Sequence, residues 1–160
     1  MNEPAWLILA RVMVGLREVP GAESNPNIVR MWHDIKRSGI KDDATPWCAA
    51  FAGAMLERAG VRSSRYESAK SYLDWGVRLD GPVHGCVVVF TREGGGHVGF
   101  VVGQDSEGRL LVLGGNQGDS VSIKAFPRDR VSGYRWPVDM VIPADPLAVL
   151  ASAEVSRNEA

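Results

Sequence analysis

Two residues of this sequence sit where nucleophilic chemistry could be done. Cys48 follows Thr45-Pro46-Trp47 and precedes the small apolar run Ala49-Ala50-Phe51-Ala52-Gly53-Ala54-Met55. Threonine followed by proline signals a helix start, so with Thr45 as N-cap the sulfur falls at the third helical position. There the unsatisfied backbone N–H groups and the helix dipole favour an anion, which lowers a thiol pKa from its free value of about 8.5. A lone cysteine is more often a small buried hydrophobe, so the placement gains force only with a base. His97 is that candidate: it follows Gly94-Gly95-Gly96 and opens the apolar run Val98-Gly99-Phe100-Val101-Val102, which places it at the start of a strand on a sheet rim. A cysteine–histidine pair also needs a group that holds the imidazole in one tautomer. The next strand candidate, Leu110–Leu113, runs into Gly114-Gly115-Asn116. Antiparallel pairing brings the end of that strand beside the start of the His97 strand, so Asn116 is a candidate orienter, with Gln117 and Asp119 as neighbouring alternatives. His33 and His84 have no comparable setting. Cys86 opens Val87-Val88-Val89-Phe90, an apolar run that implies burial and an unreactive thiol.

The elements that must position these groups fall into three stretches. To about residue 76 the chain reads as helical. Trp6–Leu16 is apolar on nearly every face; Asn25-Pro26 caps a helix bearing Ile28, Met31, Trp32 and Ile35 at helical spacing; a third helix, signalled by Thr45-Pro46, runs through Trp47 to Arg58 and stops at Gly60; a short one covers Ser68–Trp75. The period then changes. Cys86–Phe90 reads as a central strand, Val98–Val102 and Leu110–Leu113 follow around a turn at Asp105–Gly108, and Val121–Ala125 and Gly133–Trp136 are weaker candidates. Helices first and short, tightly connected strands second give an α+β domain: N-terminal helices packed on a small antiparallel sheet. After Pro137 the pattern degrades, so residues 1–137 are expected to form the working domain and 138–160 a loosely docked or disordered tail.

Composition removes several functions. With 160 residues, 45% hydrophobic and 23% charged, the chain can bury a core without staples. The net charge of −1 and the lack of a basic run argue against nucleic acid as a partner. No apolar stretch has the length of a membrane span, since Trp6–Leu16 is interrupted by Arg11 and followed by Arg17 and Glu18. Asn2-Glu3-Pro4 supplies no positive region for a signal peptide, so synthesis in the cytoplasm is expected. The two cysteines lack Cys-x-x-Cys spacing, and no clustered ligand set is present, so neither a metal nor another cofactor is expected.

Pro46-Trp47-Cys48-Ala49-Ala50-Phe51, then Gly96-His97-Val98-Gly99-Phe100, then Gly114-Gly115-Asn116-Gln117 resembles the cell-wall peptidases of the NlpC/P60 and CHAP superfamily. The resemblance is greatest to the compact phage and bacterial subgroup with tryptophan before the nucleophile. It extends to Glu18-Val19-Pro20-Gly21 with Asn25-Pro26, to Ser68–Leu73, and to Gly133-Tyr134-Arg135, covering about residues 5–137. Two departures stand out: Gly85-Cys86 where many relatives have Gly-Asp, and Gly114 where CHAP members often carry a glutamate.

The resemblance implies a papain-like fold, with Cys48 as nucleophile, His97 as base and Asn116 as orienting residue. It also implies hydrolysis of an amide bond of peptidoglycan through a thioester. Trp47, Trp75 and Gln117 are expected to line the substrate site. Such an enzyme acts on the wall as a monomer, either as a phage endolysin released with a holin or as a delivered effector matched by an immunity protein. Two other readings share the scaffold: a catalytically silent wall-binding or virion module, and an acyltransferase or deamidase acting on protein.

Overall fold

The computed structural model describes residues 3–19, 24–39, 46–92 and 95–151. Among the described residues three helices come first, α1 Ala5–Val12, α2 Pro26–Asp34 and α3 Cys48–Arg58, followed by a 3-10 helix Ala69–Asp74. The strands are β1 Val77–Leu79, β2 Val87–Arg92, β3 Gly95–Gln104, β4 Leu110–Gly114, β5 Ser122–Phe126 and β6 Val131–Trp136. They form one sheet in the order β1-β6-β2-β3-β4-β5, antiparallel at every pairing. The α+β architecture expected from the sequence is the one observed.

The start of α2 has a local cause. Asn25 caps α2 as expected: its side chain accepts from the Asn27 N–H at 2.9 Å, and its amide donates to the Arg17 carbonyl at 2.7 Å. α1 stops at Val12, short of the expected Leu16, and Gly15 adopts a left-handed φ of 102° that no α-helix continues through. The released segment turns and pairs with a distant loop, Gly15 N–H donating to Val121 O at 2.9 Å and Val121 N–H to Leu16 O at 2.8 Å. α3 begins at Cys48 with Trp47 as cap, so Pro46 and Trp47 are not helical. The sulfur therefore occupies the first helical position, not the third; Thr45 lies outside the described residues. Residues 48–56 of α3 are all buried, between α2 and the sheet.

The sheet is built around β2, whose Val87–Phe90 run is wholly buried between β6 and β3. β1, which the sequence reading missed, is a three-residue edge pairing Val77–Leu79 with Trp136–Tyr134. The sheet curls strongly, as twisted sheets do. Phe126 on β5 stacks on Phe90 of β2 at 4.5 Å and 21°, although β3 and β4 lie between those strands in the sheet order. Beyond Trp136, the segment 147–150 lies along Gln104, which donates its backbone N–H to Ala148 O at 2.9 Å and accepts from Leu150 N–H at 2.7 Å.

Candidate active site

His97 is the third residue of β3, opposite Phe90 of β2. It lies near the start of the strand, as its glycine-rich approach suggested, and is wholly buried. The stacked Phe90–Phe126 pair lies to one side of its ring, with centroids at 6.2 and 5.6 Å and interplanar angles of 24° and 22°. The curl of the sheet is what brings Phe126 to this pair.

The side chain of Gln117 sets the tautomer. Gln117 Oε1 lies 2.8 Å from His97 Nε2. The Gln117 amide nitrogen donates to Ser122 O at 2.8 Å and Val112 O at 3.2 Å. Two backbone carbonyls can only accept, so the amide nitrogen must face them and the amide oxygen must face the ring. His97 therefore carries its proton on Nε2 and donates it to Gln117, which makes Nδ1 the basic nitrogen.

Asn116, the expected orienter, does not make this contact. The β3–β4 register pairs Phe100 with Leu113, and continuing it would set position 116 opposite 97, as the sequence suggested. The strand ends at Gly114, however, and Asn116 adopts a left-handed φ of 58°. The chain turns out of the ladder there, and the next, longer side chain folds back onto the ring. Asn116 stays buried, with an Oδ1 that accepts no hydrogen bond among the described residues. The sequence offered both Asn116 and Gln117; only the backbone conformation separates them.

The glycines before Asn116 join the two halves of the site. A Cβ on Gly114 would lie 3.3 Å from His97 Nε2 and 2.5 Å from Gln117 Oε1. A side chain at position 114 would therefore compete with Gln117 for its place beside the ring. A Cβ on Gly115 would lie 2.5 Å from Phe51 Cβ and 2.8 Å from Trp47 Cζ3. One glycine thus admits the histidine–glutamine pair, and the next admits the first turn of the helix that Cys48 opens.

The thiols differ in setting. Cys86 is wholly buried just before β2, and that burial pushes its thiol up to about 12. Cys48 keeps 4% of its surface exposed, less open than expected of a nucleophile met from solution.

The expected substrate-lining residues are placed elsewhere. Trp47 is wholly buried, its indole N–H donating to Glu18 Oε1 at 2.7 Å, so it forms packing and not a groove wall. Gln117 is 1% exposed with its amide committed inside the protein. Trp75 is half-buried, stands edge-on to Tyr72 at 5.4 Å, and donates to Arg62 O at 2.9 Å. It does line a groove, of about 660 Å³, with Arg62, Ser64, Tyr66, Asp74 and Met140. That groove begins past the C-terminal end of α3, whereas Cys48 opens the helix about 15 Å away along its axis. Sequence reasoning assigned no part to Phe90, Phe126 or Glu18. Glu18 lay within a noted motif, but its contact crosses 29 residues of sequence and has no periodic signal.

No three His, Cys, Asp or Glu side chains gather among the described residues where they could hold a metal ion. No helix among them is long and apolar enough to cross a membrane. Residues 40–116 match the family model of the CHAP domain, a span that includes Cys48 and His97 and ends on Asn116. No curated protein matches the chain.

Proposed function

We propose that this chain, whose residues 40–116 match the CHAP domain model, is a peptidoglycan hydrolase or amidase in which Cys48 is the nucleophile, His97 its base and Gln117 the residue that holds the base. The observation that carries this reading is the forced orientation of the Gln117 amide, which leaves Nδ1 of His97 as the proton acceptor. A buried histidine with one tautomer imposed suits a general base, and packing alone does not require it.

The steps follow from these groups. His97 Nδ1 takes the thiol proton of Cys48, and the thiolate adds to the carbonyl carbon of a wall-peptide amide. The carbonyl oxygen becomes an oxyanion, stabilised by first-turn backbone N–H groups of α3, which have no partner within the helix. The intermediate collapses to a thioester as the C–N bond breaks, and the leaving amine takes the proton from His97. His97 then removes a proton from water, whose oxygen attacks the thioester; the acid leaves and Cys48 regains its proton. Gln117 is neutral, so it fixes the ring without adding charge against the imidazolium.

An enzyme of this kind serves as an endolysin or as a delivered lytic effector, acting on the wall alone. The test is mass analysis of the fragments released from purified sacculi. Amide hydrolysis leaves one new amine and one new carboxyl per cut with glycan strands intact, and the fragment masses name the bond. Sacculi that stay turbid under an active-site-intact preparation would favour the silent module or a protein-directed acyltransferase instead.

A further inference from the structure

The helix that presents Cys48 starts without a side-chain cap, because Trp47 at the cap position has no hydrogen-bonding group to offer its first turn. Its entry is fixed by the Trp47 ring instead. That ring is wholly buried, abuts Gly115 on one side, and donates its indole N–H to the Glu18 carboxylate at 2.7 Å. A charged acceptor makes this bond stronger than a neutral one would.

Glu18 is itself anchored to the other half of the site. Its backbone N–H donates to Asp119 O at 3.0 Å, and the preceding residue, Arg17, forms a bridge with Ser120. Ser120 O accepts from the Gln117 N–H at 2.9 Å, and Gln117 holds His97. One residue therefore closes a loop of bonded contacts that runs from the cap of the Cys48 helix through residues 119–120 and Gln117 to the His97 ring.

We propose that Glu18 is a positioning residue that sets the Cys48 turn relative to the Gln117–His97 pair, acting through the Trp47 indole; this rests on the catalytic reading of Cys48 and His97. A general base works over a narrow range of distance and angle, so a helix start free to shift against the ring lowers the chemical step and leaves substrate binding little changed.

The test combines activity with a readout that needs no substrate. kcat and KM are measured on a soluble wall peptide, and the rate of Cys48 alkylation by iodoacetamide is followed against pH. The proteins are the wild type, Glu18→Ala, Glu18→Gln, Trp47→Phe and the Glu18→Ala/Trp47→Phe double variant. Glu18→Ala should lose roughly 10- to 100-fold in kcat, as supporting residues commonly do, with KM within about threefold. Its alkylation profile should shift with the loss. Glu18→Gln keeps an oxygen that accepts from the indole and should recover most of the rate. Trp47→Phe removes only the N–H and part of the ring, and the double variant should be no worse than the worse single one, since both break the same link.

Wild-type kcat and alkylation in Glu18→Ala would overturn the proposal. So would a Glu18→Gln variant as impaired as Glu18→Ala, or additive losses in the double variant. Should Cys48→Ala retain hydrolysis, the catalytic reading fails by itself, and the alkylation profiles still decide whether Glu18 governs Cys48.

Discussion

Replacing Gln117 separates the structure's account of the base from the one its sequence neighbour suggests. Gln117→Ala removes the acceptor of the His97 Nε2 proton and two donated bonds, to Ser122 O and Val112 O. At about 1 kcal/mol net per hydrogen bond the loss is roughly 2–3 kcal/mol. For a chain of this length that lowers the melting temperature by roughly 5–10 °C. The rate should fall further than stability accounts for, because the imidazole can then place its proton on either nitrogen. A loss of roughly 10- to 1,000-fold is expected, from the effect of losing a neutral supporting bond. Asn116→Gly is the control: glycine accepts the left-handed φ of 58°, and the Oδ1 removed makes no hydrogen bond among the described residues. It should cost less than about tenfold. Initial rates of amine release from sacculi, taken below the lower melting temperature, compare the two. An active Gln117→Ala beside an inactive Asn116→Gly would refute the assignment.

Iodoacetamide at about pH 6 should label Cys48 before Cys86, since a helix N-terminus with a histidine base favours the thiolate while burial holds the Cys86 thiol at about 12; peptide mapping that finds Cys86 modified first would contradict this. Burial pushes the Glu57 carboxyl up, but hydrogen bonds from Arg65 and Ser63 outweigh it and bring it from 4.5 to about 2. Its stabilisation is therefore complete above about pH 4.5 and is lost as the pH falls towards 2, and the stability of Glu57→Gln, followed by denaturant titration, should decline less across that window; equal slopes would refute the pairing. EDTA should leave hydrolysis unchanged while thiol alkylation abolishes it, and inhibition by EDTA would point to a different mechanism.

Much of the fold was legible because local chemistry and tertiary structure agree. Asn25-Pro26 caps α2, and the unbroken Val87–Phe90 run lies between two strands. What escaped depends on distant contacts. β1 is three residues paired at a sheet edge, too short for alternation to register. α1 loses its last expected turn because Gly15 and Leu16 find partners at Val121. In the site, Cys48 and His97 were marked by their flanks, a helix start and a glycine-rich approach. The choice between Asn116 and Gln117 turned on one backbone dihedral. Trp47, an apparent groove wall, is buried because Gly115 has no side chain to keep it away.

The central claim is that Cys48 attacks the amide, and the Cys48→Ala variant tests it most directly. Its rate of amine release from sacculi is compared with the wild type after circular dichroism has matched their folds. Loss of a nucleophile costs on the order of 10⁴ to 10⁶ in rate, so Cys48→Ala should leave the sacculi intact over the time the wild type clears them. Clearance by Cys48→Ala at a rate near that of the wild type would contradict the account.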